Sequence, residues 1–231
     1  MAHRLLPIML LLATGTAITA CGGGDERARP VHGTAPAEVA GVGYTSAQLS
    51  QALLDRLPGY RRVGDPDSGE YGTLTAIQNA ARLQRKTEVD KRDCGTGRVG
   101  ATVKGDVPAA LVTFTKKGLA VTETLMGMSA ADAEKQVNAR VPEGCLRFRT
   151  RAGASWAEHR VVETPKGDIG DGSRTVGVAT VSEKIRTRTW YVVVRGRHFL
   201  ATITLFGPTA TRAEAERLAR AALDQTGEIL P

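Results

Sequence analysis

The chain has 231 residues, a formal net charge of +7, 42% hydrophobic residues and only 4% aromatic residues. That length is enough for a single domain with a real core, and no second linker divides it into two. The core must rest on Val, Leu, Ile and Ala. The charge could suit anionic lipid headgroups, teichoic-type polymers or nucleic acid, but Lys and Arg are scattered rather than clustered and read as a basic surface, and an exported tether argues against nucleic acid as the normal partner.

The chain opens with His3 and Arg4, an apolar run from Leu5 to Leu12, and then small residues up to Ile18-Thr19-Ala20-Cys21. This is the order of a secretory signal that ends where cleavage would expose a thiol. A retained membrane helix needs about 20 apolar residues, and Thr14, Gly15 and Thr16 interrupt this one. Residues 1–20 are therefore expected to be a cleaved signal peptide. Ile18 to Cys21 resembles the lipobox of bacterial lipoproteins, which implies acylation of Cys21 with palmitate-type chains. Residues 21–43 are rich in Gly, Ala and Pro and read as a flexible tether spanning roughly 25 Å. The expected location is the extracytoplasmic face of the cell membrane, held by lipid.

Residues 44–231 are expected to form one domain. Thr45 with Gln48 fits a capping box, with Tyr44 and Leu49 as its hydrophobic staple. The stripe Leu49, Leu53, Leu54 and Leu57 then predicts a helix stopped by Pro58-Gly59. A short strand over 60–63 and a loop over 64–72 follow, and then a helix over 73–92. The runs AALVTFT and LAVTETLM around Lys116-Lys117-Gly118 predict a hairpin over 109–126. Ser129 with Asp132 starts a helix through Val141, ended by Pro142-Glu143-Gly144. Strands are expected over 147–150, 158–163, 175–182, 187–195 and 198–206. Gly196-Arg197 is read as the two central residues of a tight turn. Trp190, Val192 and Val194 alternate with Tyr191 and Val193, so both faces of that strand are apolar and it should be central. Thr211 with Glu214 opens a last helix with a small apolar face, and Gly227 is expected to close it. The fold class is α+β, an antiparallel sheet with helices packed mainly on one face.

Three cysteines are present. With Cys21 carrying lipid, Cys94 and Cys145 are left to pair in an oxidising compartment. Closing that loop would stabilise the fold by ~4 kcal/mol in the chain-entropy view.

Gly95 to Gly100 spells GxGxxG, but neither flank supplies the strand and helix that a dinucleotide fold needs. Gly153-Ala154-Ser155-Trp156-Ala157 lacks the final glycine of a nucleophile elbow, so a hydrolase using Ser155 with His159 or His198 is an alternative reading only. Asp65, Asp67 and Glu70, and Asp168 with Asp171, have no calcium-loop spacing and read as turn residues. No metal, no cofactor and no catalytic residue is expected. Arg147, Arg149, Arg151 and Arg160 flank Trp156, and alternation places three guanidinium groups on one strand face, where they could meet an anionic ligand.

Several of these features recur together: lipobox and tether, a cysteine after an early helix, ALVTF, a Thr-Glu-Thr strand, Gly144-Cys145, Gly167 to Asp171, Val194-Arg195-Gly196 and a closing Ala-rich helix. This order resembles the sensor-domain lipoproteins of actinobacteria. It is similar to the extracellular sensor domain of PknH-type Ser/Thr kinases, and more loosely to LpqN-type lipoproteins of the Mog1/PsbP-like fold. One departure is that the PknH-type domain carries two disulfides, and here one pair is available. The resemblance implies an α/β sandwich with a ligand cleft, and no catalytic residues transfer. The expected function is a non-catalytic ligand-binding or sensing module of the cell envelope, enzyme activity being absent. Arg147, Arg149, Trp156 and His159 are the ligand-binding candidates. The partner is an unknown small ligand; the alternative is an envelope enzyme or receptor, which a pocketless sheet face would favour.

Overall fold

Helix α1 (Ser46–Ala52) begins on the capping box: the Gln48 N–H donates to Thr45 Oγ1 at 3.3 Å, and the Thr45 N–H donates to Gln48 Oε1 at 3.0 Å. The helix stops at Leu53, earlier than Pro58, yet Leu53, Leu54 and Leu57 are all buried. The computed structural model describes residues 43–91, 93–94, 101–164, 167–183 and 185–230. They fall in one compact unit, Val39–Pro231. The expected signal peptide, Cys21, most of the tether and the glycine run 95–100 lie outside the described residues.

Strands β1 (Arg61–Arg62) and β2 (Asp67–Glu70) lie in succession along the outer edge of β4 (Pro108–Lys116). The expected loop over 64–72 is thus partly strand. The edge of β4 supplies the ladder partners, and pairing there satisfies N–H and C=O groups that would otherwise be open. The predicted helix over 73–92 is shorter, α2 (Thr75–Arg85), because Glu88–Val89 leave it to form β3. β3 pairs with β6 (Arg147–Ala152).

The hairpin of β4 and β5 (Leu119–Gly127) forms where it is expected, with Lys116 opposite Leu119. Ser129 caps α3 (Ala130–Asn138), accepting from the Asp132 N–H at 3.1 Å. Then come β7 (Ser155–Glu163), β8 (Ser173–Ser182), β9 (Ile185–Arg195) and β10 (Phe199–Gly207). The turn between the last two is centred on Arg197-His198 rather than Gly196-Arg197, since the Gly196 N–H donates to the Phe199 carbonyl at 3.0 Å. Gly196 is needed for another reason: a Cβ there would come within 2.2 Å of the Phe199 ring. Helix α4 (Arg212–Ile229) is capped by Thr211 and runs through Gly227. Buried Leu230 ends it instead, its N–H returning to the Thr226 carbonyl at 2.8 Å.

All pairings are antiparallel, in the order β1-β4-β5-β10-β9-β8-β7-β6-β3, with β2 beside β1 on β4. β9 is central, as its two apolar faces predicted. The main helical layer, α1 and α4, covers one face over β4, β5, β10, β9 and part of β8. Phe114, Leu125, Val192, Ile203 and Leu205 point into that layer, and each side chain of this size contributes about 1.5–3 kcal/mol when buried. α3 docks on the far face against Met126, Val193 and Leu200. This is the expected α+β class, with its helices mainly on one face. The expected Cys94–Cys145 disulfide is formed (S–S 2.03 Å) and packs with Phe148, Val161 and Val176.

Candidate functional site

The pleat sends alternate residues to opposite faces. In β5, Glu123 points into the α1/α4 core, while Thr122 and Thr124 point to the far face. β10 repeats this pattern, with Ile203 in the core and Thr202 and Thr204 on the far side. Register places Thr202 opposite Thr124 and Thr204 opposite Thr122, and Tyr191 of β9 lies next to Thr204. Beyond the end covered by α3, these side chains floor an open trough of about 770 Å³. That volume lies within the range of small-ligand sites.

Helix α2 forms the roof. Asp67 Oδ2 accepts from the Thr75 N–H at 2.7 Å, fixing the start of the helix. This capping is the structural task of Asp67. α2 has no fully buried residue, and only Ile77 is packed against the core of that face. Ala76, Ile77, Ala80 and Leu83 overhang the trough, and Leu83 is 67% exposed. Among the described residues no Asp, Glu, Lys, Arg or His lines the trough. Its polar groups are threonine hydroxyls, Gln84 and the phenols of Tyr71 and Tyr191. Burial pushes both tyrosines above their usual value, so they stay neutral donors.

The four residues singled out from the sequence do not form one group. His159 lies on the trough face but beneath the surface. Its Nε2 is 2.7 Å from Thr150 Oγ1, its Nδ1 is 2.9 Å from Thr180 Oγ1, and its ring stacks on Phe148 at 4.7 Å. It reaches the trough only through Thr150. Arg147, Arg149 and Trp156 lie on the opposite face, because their strand positions alternate with Phe148, Thr150 and His159. Arg149 and Arg151 stack over Trp156 at 5.2 and 5.4 Å from the ring centre.

Ser155 and His159 are not brought together. Ser155 is four residues from His159 in one extended strand, about 13 Å at the usual rise, and both His159 nitrogens face threonines. Among the described residues no cluster of His, Cys, Asp or Glu is placed to hold a metal ion. Asp168 instead faces Arg220 at 3.5 Å, and the Asp171 carbonyl accepts from Arg195 at 2.8 Å.

The trough threonines were missed by sequence reasoning. Their signal was present as the alternations Thr-Glu-Thr at 122–124 and Thr-Ile-Thr at 202–204.

Fold and site together define an α+β domain with a trough of ligand size whose described lining residues carry no charge. No protein-family model and no curated protein sequence matches the chain. Among solved structures it is similar to the extracellular domain of PknH from Mycobacterium tuberculosis, at 11% identity over 80% of this chain and 98% of that one, with a TM-score of 0.54. A protein of Mycobacterium smegmatis, the Rv0999 ortholog, aligns at 16% identity over 78% of this chain and 94% of that one, with a TM-score of 0.48. The PknH likeness is one of fold, and the fold is the one that the order of sequence features resembles.

Proposed function

We propose that the protein is a non-catalytic binding module of the cell envelope, anchored by lipid at Cys21 and displayed on the extracytoplasmic side. The ligand is a small neutral amphiphile held in the trough. The observation that carries this reading is the trough lining: threonine hydroxyls and phenols, an aliphatic roof and no charged side chain among the described residues. Such a site solvates an uncharged hydroxylated group and an apolar chain together. It would penalise a carboxylate or phosphate, whose desolvation none of the described lining residues offsets. The resemblance to an extracellular domain supports the location, and the signal-like N-terminus with Cys21 supports the anchor.

Calorimetric titration of the protein with a monoacylglycerol and with the fatty acid of equal chain length tests this. The neutral ligand should bind, the acid should bind much more weakly, and Ala80→Trp, which fills the trough from α2, should abolish binding. Equal binding of both ligands, or binding unaffected by Ala80→Trp, would refute it.

A further inference from the structure

The helical layer does not reach β6 and β7, and the face it leaves uncovered is basic. Register runs two rows of neighbouring side chains across it. One is Arg149, Glu158, Val181 and Arg186; the other is Arg147, Arg160, Ala179 and Arg188. With Arg151 there are six arginines. Glu158 lies among them, Asp90 pairs with Arg149 and Glu88 with Arg151. Arg147, Arg160, Arg186 and Arg188 have no carboxylate partner among the described residues, and all four are exposed. Arg147 stands directly opposite Arg160, a like-charge cross-strand pair that weakens the sheet by itself. Between the guanidinium groups stand exposed apolar side chains: Trp156 at 41%, Val162 at 53% and Val181 at 46%.

We infer that this face of β6–β9 docks on an anionic lipid bilayer. The charges are spread over an open sheet face rather than gathered in a pocket, which fits a sheet of headgroups better than one bound ion. Arginine pairs with lipid phosphates, and its charge is drawn to an anionic surface. Trp156 with its flanking arginines and the two valines have the amphipathic make-up of a membrane interface. A nucleic acid would satisfy the arginines but would leave the valines without a use. The trough opens on the other face, so docking leaves it accessible.

Sedimentation of the mature chain from residue 21, carrying Cys21→Ser, with vesicles of phosphatidylcholine alone or mixed with phosphatidylglycerol, removes both the signal segment and the lipid anchor from the comparison. The readout is the ratio of binding to the two vesicles. It should favour the anionic vesicles and fall with added salt. Arg147→Glu/Arg160→Glu/Arg186→Glu should cut anionic binding by on the order of a hundredfold. Trp156→Ala should weaken it without changing net charge. The control Arg61→Glu/Lys117→Glu/Arg197→Glu makes the same charge change elsewhere and should keep most of the binding. Circular dichroism of each variant verifies the fold. A ratio near one, an equal loss in the control, or tighter binding to an oligonucleotide than to the vesicles would overturn the inference.

Discussion

The backbone N–H of Leu54 donates to Glu123 Oε2 at 2.8 Å inside the core between α1 and the sheet. Glu123 is fully buried, and its other oxygen has no hydrogen-bond partner among the described residues. Burial pushes its carboxyl from an ordinary 4.5 up to about 8, against the smaller opposing effect of the Leu54 bond. Over that window the folded protein holds a proton that the unfolded chain releases. The stability this group contributes is therefore complete below about pH 4.5 and is lost as pH rises toward about 8. Glu123→Gln keeps an acceptor for Leu54 and removes the titration. Unfolding free energies of the wild type from denaturant titrations should fall between about pH 5 and about pH 8 by a few kcal/mol, and those of the variant should stay nearly level. Parallel pH profiles of the two proteins would contradict the assignment.

His159 works in the other direction. Burial holds its imidazole below the usual histidine range of 6.5, and Asp90 only partly offsets this. The folded protein then binds fewer protons than the unfolded chain, so this contribution is present above about pH 6.5 and is lost as pH falls. His159→Gln should flatten the acid side of the stability profile without affecting ligand in the trough. His159→Ala, which strands Thr150 and Thr180 and empties the space on Phe148, should cost about 2 kcal/mol at neutral pH. Loss of ligand binding in His159→Gln, with stability unchanged, would return this residue to the role first read from the sequence.

The parts of the fold legible in the sequence are those whose causes are local. Thr45 with Gln48, Ser129 with Asp132 and Thr211 with Glu214 each cap a helix through bonds within one turn. The hairpin at Lys116-Lys117-Gly118 and the doubly apolar β9 follow from turn chemistry and period alone. What was hidden depends on distant partners. Asp67–Glu70 has no strand-like composition and becomes β2 only because β4 offers an edge. The alternation of Arg147, Arg149 and Arg151 was readable, but not that this face lies opposite the trough. The trough draws on residues from Tyr71 to Thr204, gathered by a sheet order in which β5 neighbours β10. No local pattern encodes that neighbour.

Thr202 tests the trough at a single atom. Its Oγ1 is buried without a hydrogen-bond partner among the described residues, and the residue belongs to the threonine floor. A hydroxyl in that state costs the ligand-free protein its desolvation. Thr202→Val replaces it by a methyl of similar size, so the free protein should become more stable by up to about 1 kcal/mol. If the bound monoacylglycerol uses this hydroxyl, the same change should weaken its binding by up to about tenfold. Thermal denaturation of the free protein and calorimetric titration of the complex read the two effects separately. A gain in stability with unchanged affinity would place the ligand's polar group elsewhere on the floor. A loss of stability would mean that Thr202 is satisfied in the free protein and is part of its packing rather than of its site.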